Sequence, residues 1–195
     1  AGSDNFAISN SGEITLSSQL NFESQSQFTI QVVSSDGIND MVQDVVIYVV
    51  NDNEAPNVTL DNFSVAENVV SGTTLATATG LDPEGSNISY FLSGQGSDNF
   101  QIDADGNITL DGTLDYEATQ SYELTVFASD GLFTVPKTIT VTVTDANEAP
   151  SVSAIVAFNS FQENTAVGST IATTESNDPE SDTISYSLSG TGSDK

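Results

Sequence analysis

The sequence predicts an all-β chain folded as Greek-key β-sandwiches with about seven strands per repeat. Two observations predict this: strict apolar alternation with period two, and long stretches that recur farther along the chain. "SYELTVFAS" (Ser121–Ser129) places Tyr122, Leu124, Val126 and Ala128 on one face. "KTITVTVTD" (137–145) places Ile139, Val141 and Val143 on one face and threonines on the other. Such alternation, rich in Val, Ile and Thr, suits a strand buried on one side. Shorter strands are expected at 63–66, 74–79, 88–92, 100–102 and 107–110, and "DADG" (103–106) reads as the hairpin turn between the last two. No segment carries a 3.6-residue period.

The repeats set the organisation. "AGSDNFAISNSGEITLSSQLNFE" (1–23) matches "GQGSDNFQIDADGNITLDGTLDYE" (94–117), "SSDG" (34–37) matches "ASDG" (128–131), and "NDNEAP" (51–56) matches "DANEAP" (145–150). All three share an offset of 94. With an offset of 96, "LDPEGSNISYFLSGQGSD" (81–98) matches "NDPESDTISYSLSGTGSD" (177–194), and "FSVAEN" matches "FQEN" less closely. A unit of about 95 residues is therefore present about twice. The prolines set its phase. Residues 57–150 form one complete unit, 1–56 the C-terminal part of a preceding one, and 151–195 the N-terminal part of a following one.

Composition narrows the function. Twenty-eight Asp and Glu stand against 2 Lys and Arg, a net charge of −26. That excludes nucleic-acid binding through phosphate contacts and disfavours anionic membrane surfaces. Such a surplus repels itself and calls for nearby cations, although it also serves as a solubilising surface. Without Cys or His, the chain has no disulfide, thiolate or imidazole ligand. Apolar residues make up 37%, with ten Phe and five Tyr, enough to fill a core. No leader peptide and no membrane-spanning run is read, and the chain reads as a piece of something larger.

Several motifs resemble the cadherin family. "FQIDADGNITLDGTLDYE" resembles its F-x-I-x-x-x-x-G-x-I pattern followed by L-D-x-E, "AEN" around Glu67 its x-E-x motif, "ASDG" its A-x-D-G segment, and "DANEAP" its inter-domain linker, one residue short. The short linker and acidic composition look more like bacterial cadherin-like repeats. The resemblance implies a cadherin/immunoglobulin-like sandwich with Ca²⁺ between successive units. At the junction after the complete unit it implies Glu67, Asp115, Glu117, Asp145, Asn147 and Glu148 as ligands, with Asp178 from the following unit. At the preceding junction it implies Glu23, Asn51, Asn53 and Glu54, with Asp82, Asn87 and Asp130 below. Glu163 holds the Glu67 position in the following unit. The sequence departs from the pattern at Asn21 and Asn51, where acids are expected, and at Gly80 and Ser176, the first position of D-x-D; Thr183 replaces an asparagine. Oxygen donors of these kinds suit Ca²⁺, which takes six to eight of them.

The expected function is a calcium-rigidified spacer or adhesion module of a larger cell-surface or secreted protein. Its partners would be other cadherin-like repeats, in the same chain or in neighbouring molecules through half-domain complementation. The alternative is a carbohydrate-binding module with a polysaccharide partner, for which Tyr116 and Phe133 are the candidate contacts. Enzymatic activity is not expected, since the acids gather at unit ends rather than in a cleft. Without Trp, the chain lacks the tryptophan anchor of vertebrate-type adhesive cadherins.

Overall fold

The computed structural model describes residues 3–157 and 160–191; residues 1–2, 158–159 and 192–195, which the expected end units include, lie outside it. In the first stretch, β1 (Phe6–Ile8) pairs with β2 (Ile14–Leu16), and β3 (Gln27–Ser35) pairs with β4 (Asp40–Tyr48), both antiparallel. The middle stretch carries β5 (Asn57–Thr59), β6 (Phe63–Ala66), β7 (Thr74–Thr77), β8 (Thr79–Leu81), β9 (Ser89–Gln95), β10 (Phe100–Ile102), β11 (Asn107–Leu110), β12 (Ser121–Ser129) and β13 (Thr134–Thr144). The last stretch holds β14 (Ser151–Ala157) and β15 (Ala172–Asn177), an antiparallel pair.

The middle stretch is a β-sandwich. One sheet runs β6-β13-β12-β9, the other β10-β11-β7, and β5 pairs with β8 beside them. The alternation read from the sequence holds: Leu124, Val126 and Ala128 of β12 are buried, as are Ile139, Val141 and Val143 of β13. All of them except Ala128 join one core cluster with Phe100, Ile108 and Leu110 from the opposite sheet. The threonines of β13 at 134, 138, 140, 142 and 144 face outward. Phe100 packs edge-on against Tyr122 at 5.5 Å between ring centroids.

Two details differ from the sequence reading. The single strand expected over 74–79 is split at Ala78, whose N–H bonds the Gly106 carbonyl at 2.8 Å. β7 thereby joins one sheet, and β8 turns away to pair with β5. β5 itself was not expected, because three residues are too few to show alternation. The 103–106 turn forms as read. Asp103 Oδ1 accepts from the Asp105 and Asn107 N–H groups, both at 2.9 Å. Gly106 has φ +83°, and a Cβ there would collide with the Ala78 carbonyl.

Candidate metal centre

The topology brings acids to both poles of the sandwich. β6 runs parallel to β13, so the two strands end at the same pole. The β12–β13 turn lies at the other pole, where Asn53 Nδ2 donates to Asp130 Oδ2 at 2.7 Å as the chain enters. At the exit pole, the Ala146 N–H donates to Glu67 Oε1 at 2.8 Å.

Glu67 anchors the exit pole. It is only 5% exposed, and its second oxygen accepts from the Tyr116 N–H at 2.6 Å. Carboxylate oxygens of Glu67, Asp115 and Glu117 lie within 4.8 Å of one another, and so do those of Glu117, Glu148 and Glu180. Asp115 spends one oxygen on the Ala118 N–H at 2.8 Å. Asn147 donates to its neighbour's carbonyl, at Glu148, at 2.8 Å. Asp178 is buried and accepts from the Asp182 N–H at 2.9 Å.

The entry pole repeats this arrangement with fewer charges. Glu23, Glu54 and Glu84 form its acidic group within the same 4.8 Å limit. Asn53 donates to the Glu54 carbonyl as Asn147 does to that of Glu148. The Glu54 N–H reaches Glu84 Oε2 at 3.3 Å, matching Glu148 to Glu180 at 3.4 Å. Asp82 caps Ser86 as Asp178 caps Asp182. Asn21 holds the Asp115 position and caps Ser24 at 2.6 Å, but it is neutral. Asp130 accepts the Leu132 and Phe133 N–H groups at 2.7 and 2.6 Å.

Of the sequence-derived candidates, Asn51 and Asn87 are exposed, and Glu163, also exposed, belongs to none of the three acidic groups found among the described residues. Glu84 and Glu180 were missed. The family pattern seeks a partner acid two residues before Asp82 and Asp178, where Gly80 and Ser176 stand. The structure instead sets the acid two residues after them, at Glu84 and Glu180. The tripeptide D-P-E, recurring at 82–84 and 178–180, carried that signal. For sugar contact, Tyr116 is packed against the core, whereas Phe133 is exposed beside the Asp130 turn.

The electrostatics are one-sided. Glu54 and Glu148 are each pushed up to about 7, first by hydrogen bonding to Glu84 and Glu180 respectively, then by desolvation and surrounding negative charge. Desolvation raises Glu117, reinforced by the charges of Glu67, Asp145 and Glu180. Asp130 is held low, chiefly by the Asn53 amide. Among the described residues the only basic side chain is Lys137, which lies opposite Val126 in mid-sheet.

A divalent cation fits these residues. With every carboxylate ionised, Asp82 Oδ2, Glu84 Oε1, Glu148 Oε2 and Glu180 Oε1 are buried with no hydrogen-bond donor. Buried carboxylate oxygens are costly unless paired. The donor set is all oxygen, which suits a hard ion such as Ca²⁺ and not a thiolate- or imidazole-seeking metal.

The raised pKa values predict a pH effect in the absence of metal. Between about 4.5 and 7 the folded chain keeps protons on Glu54 and Glu148 that the unfolded chain has released. Their contribution is complete below about 4.5 and is lost as pH rises through 7. In EDTA, the melting temperature is expected to fall between pH 5 and pH 8 (spanning roughly that window). Glu148→Gln should remove part of the slope, as calorimetry at each pH would reveal.

Fold and site together define a sandwich module with carboxylate-lined poles. The Cadherin domain family model matches residues 61–152. Mouse (Mus musculus) Cadherin-related family member 1 is 34% identical over 140 residues, covering 68% of this chain and 16% of that protein. The Fat-like cadherin-related tumor suppressor homolog of Drosophila melanogaster is 30% identical over 147 residues, covering 71% of this chain and 3% of that protein. The chain thus spans a small fraction of these relatives. Among solved structures, mouse Protocadherin-24 EC1-3 aligns with a TM-score of 0.57 and 27% identity, covering 90% of this chain and 63% of that one. Residues 61–152 are similar to a cadherin domain, and the sandwich is cadherin-like.

Proposed function

We propose that this chain is a run of bacterial-type, tandem cadherin-like repeats that binds Ca²⁺ and serves as a rigidified spacer or adhesion module of a larger cell-surface or secreted protein. The repeats divide at 1–56, 57–150 and 151–195. At the exit junction Glu67, Asp115, Glu117, Asp145, Asn147 and Glu148 hold the ion or ions with Asp178 and Glu180. At the entry junction Glu23, Asn53, Glu54, Asp82, Glu84 and Asp130 do so. The observation that carries this reading is the set of carboxylate oxygens gathered at both poles, buried and, when ionised, without a hydrogen-bond donor. Glu67 ties β6, the 115–117 turn and the linker together through its two backbone hydrogen bonds. Bound Ca²⁺ supplies positive charge that holds carboxylates of adjoining units together. The role is mechanical rather than enzymatic, and the setting extracellular.

Extracellular modules often bind Ca²⁺ at roughly 10⁻⁴–10⁻³ M, so 5 mM should stabilise the native state by about 1–2 kcal/mol per site. Calorimetric titration of the whole chain tests this, and no heat and no shift in melting temperature on adding calcium would exclude the metal. The exit junction is expected to bind more tightly, because Asp115 and Asp145 stand where Asn21 and Asn51 stand at the entry. Glu117→Ala with Asp145→Ala should abolish most of the calcium-dependent stabilisation. Glu23→Ala with Asn51→Ala should remove less, and equal losses would contradict the ranking.

A further inference from the structure

The middle sandwich has one open side. β9 ends one sheet and β10 ends the other, so neither strand has a hydrogen-bonded neighbour on its outer edge. Both lie well inside the matched domain, residues 61–152. A groove of about 580 Å³ lies between them, lined by residues 90–92 of β9, by β10, and by Ser97, Asp98 and Asp111. Its apolar lining is the margin of the core: Phe100 is buried, and Tyr90, Leu92 and Ile102 are partly buried against it. Asp98, Gln101 and Asp111 are exposed.

The edge of β9 is unprotected. Exposed edge strands are commonly blocked by charged side chains or proline. β9 reads SYFLSGQ and β10 reads FQI, with neither device, in a chain of net charge −26. In antiparallel pairing, alternate residues turn their N–H and C=O groups away from the partner strand. On β9 those groups point away from β12, to the open side. Phe91 marks the same edge. Its ring stacks on Phe127 of β12, with centroids 4.6 Å apart and planes 2° from parallel. One ring face is therefore covered and the other is turned away from β12; the side chain is 47% exposed.

We propose that an extended peptide segment of a partner protein, alternating apolar and basic residues, adds to β9 as a further strand of this sheet. A peptide backbone matches a row of N–H and C=O groups in register, which a sugar does not. Successive side chains of a strand point to opposite faces. One set enters the groove against Tyr90, Leu92 and Ile102, and is therefore apolar. The other set lies on the outer face beside Phe91, whose open ring face suits a guanidinium or ammonium group. Charge selects the same partner. Asp98 and Asp111 stand at the groove, β9 and β10 carry no basic residue, and 28 acids against 2 bases repel an acidic segment. The inference goes beyond the calcium reading and does not depend on it, since none of these residues belongs to the acidic groups at the poles.

The test uses the whole chain in calcium and a fluorescein-labelled peptide of alternating valine and arginine, about as long as β9. Anisotropy should show saturable binding. A block isomer with its arginines together keeps the charge but not the alternation, and should bind about tenfold more weakly. Asp98→Asn/Asp111→Asn should weaken binding of the alternating peptide about tenfold. Asp40→Asn/Asp61→Asn, which removes the same charge at exposed positions outside the groove, should leave it unchanged. Hydrogen exchange should slow in β9 on binding and not in β7, the edge strand on the far side of the other sheet. No binding, equal binding of the block isomer, no greater loss from the Asp98/Asp111 pair than from the control pair, or no slowing in β9 would overturn the proposal. Binding of an uncharged gluco-oligosaccharide at Phe91 in place of the peptide would also overturn it and assign the groove to a sugar.

Discussion

Glu67→Ala is expected to lower stability in calcium by about 3 kcal/mol, on the order of 15 °C in melting temperature. The side chain is buried, and both oxygens accept backbone N–H groups, from Tyr116 and Ala146. Truncation leaves two donors unpaired, each costing about 1–3 kcal/mol. It also removes a carboxylate from the group with Asp115 and Glu117. Glu67→Gln separates the two roles. It keeps the shape and one acceptor oxygen but loses the charge, so its deficit should be larger in calcium than in EDTA. In EDTA, relief of repulsion from Asp115 and Glu117 offsets part of the lost bonding. Thermal melts in both buffers measure this. If Glu67→Gln and the unmodified chain gain equally on adding calcium, Glu67 is structural and not a ligand.

Leu124→Ala is expected to cost about 3 kcal/mol in either buffer, within the 2–5 kcal/mol typical of a buried leucine. Leu124 is completely buried at the centre of β12, between β9 and β13. The loss combines transfer free energy with the cavity left between the sheets. Leu132→Ala, at a side chain 76% exposed on the β12–β13 turn, should change stability by under about 0.5 kcal/mol. Urea denaturation of the two variants provides the comparison. A comparable loss from both would mean that the sandwich does not bury the face that alternation assigns to it.

Most of the middle sandwich was legible because its signals are local. β12 alternates over nine residues, and its inward set is the one the pattern names. The bounds of β6, β10 and β11 follow from short apolar runs ended by turn residues. Part of the site was equally legible. Glu67, Asp115, Glu117 and Glu148 sit in recognisable motifs, and the structure gathers them. Glu84 and Glu180 were hidden because the motif fixes a spacing before Asp82 and Asp178, whereas a carboxylate two residues later reaches the same place with its longer side chain. Glu163 holds the motif position in the last stretch, is exposed, and belongs to none of the three-acid groups among the described residues.

By itself the sequence determined what depends on neighbours close in the chain: the alternating faces of β12 and β13, the Asp103 turn, and the excess of oxygen donors over cations. Tertiary structure decided what depends on a distant partner. Residues 74–79 read as one run, yet they divide at Ala78, because β11 pairs with 74–77 and β5 pairs with 79–81. The carboxylates are alike in this respect. Glu117, Glu148 and Glu180 are ordinary acids until folding sets them within 4.8 Å of one another, where hydrogen bonding to Glu180 raises Glu148 and desolvation raises Glu117, both reinforced by neighbouring negative charge. Strand pairing and charge clustering are both pairwise terms between residues far apart in sequence, and neither exists until the fold supplies the second member of the pair.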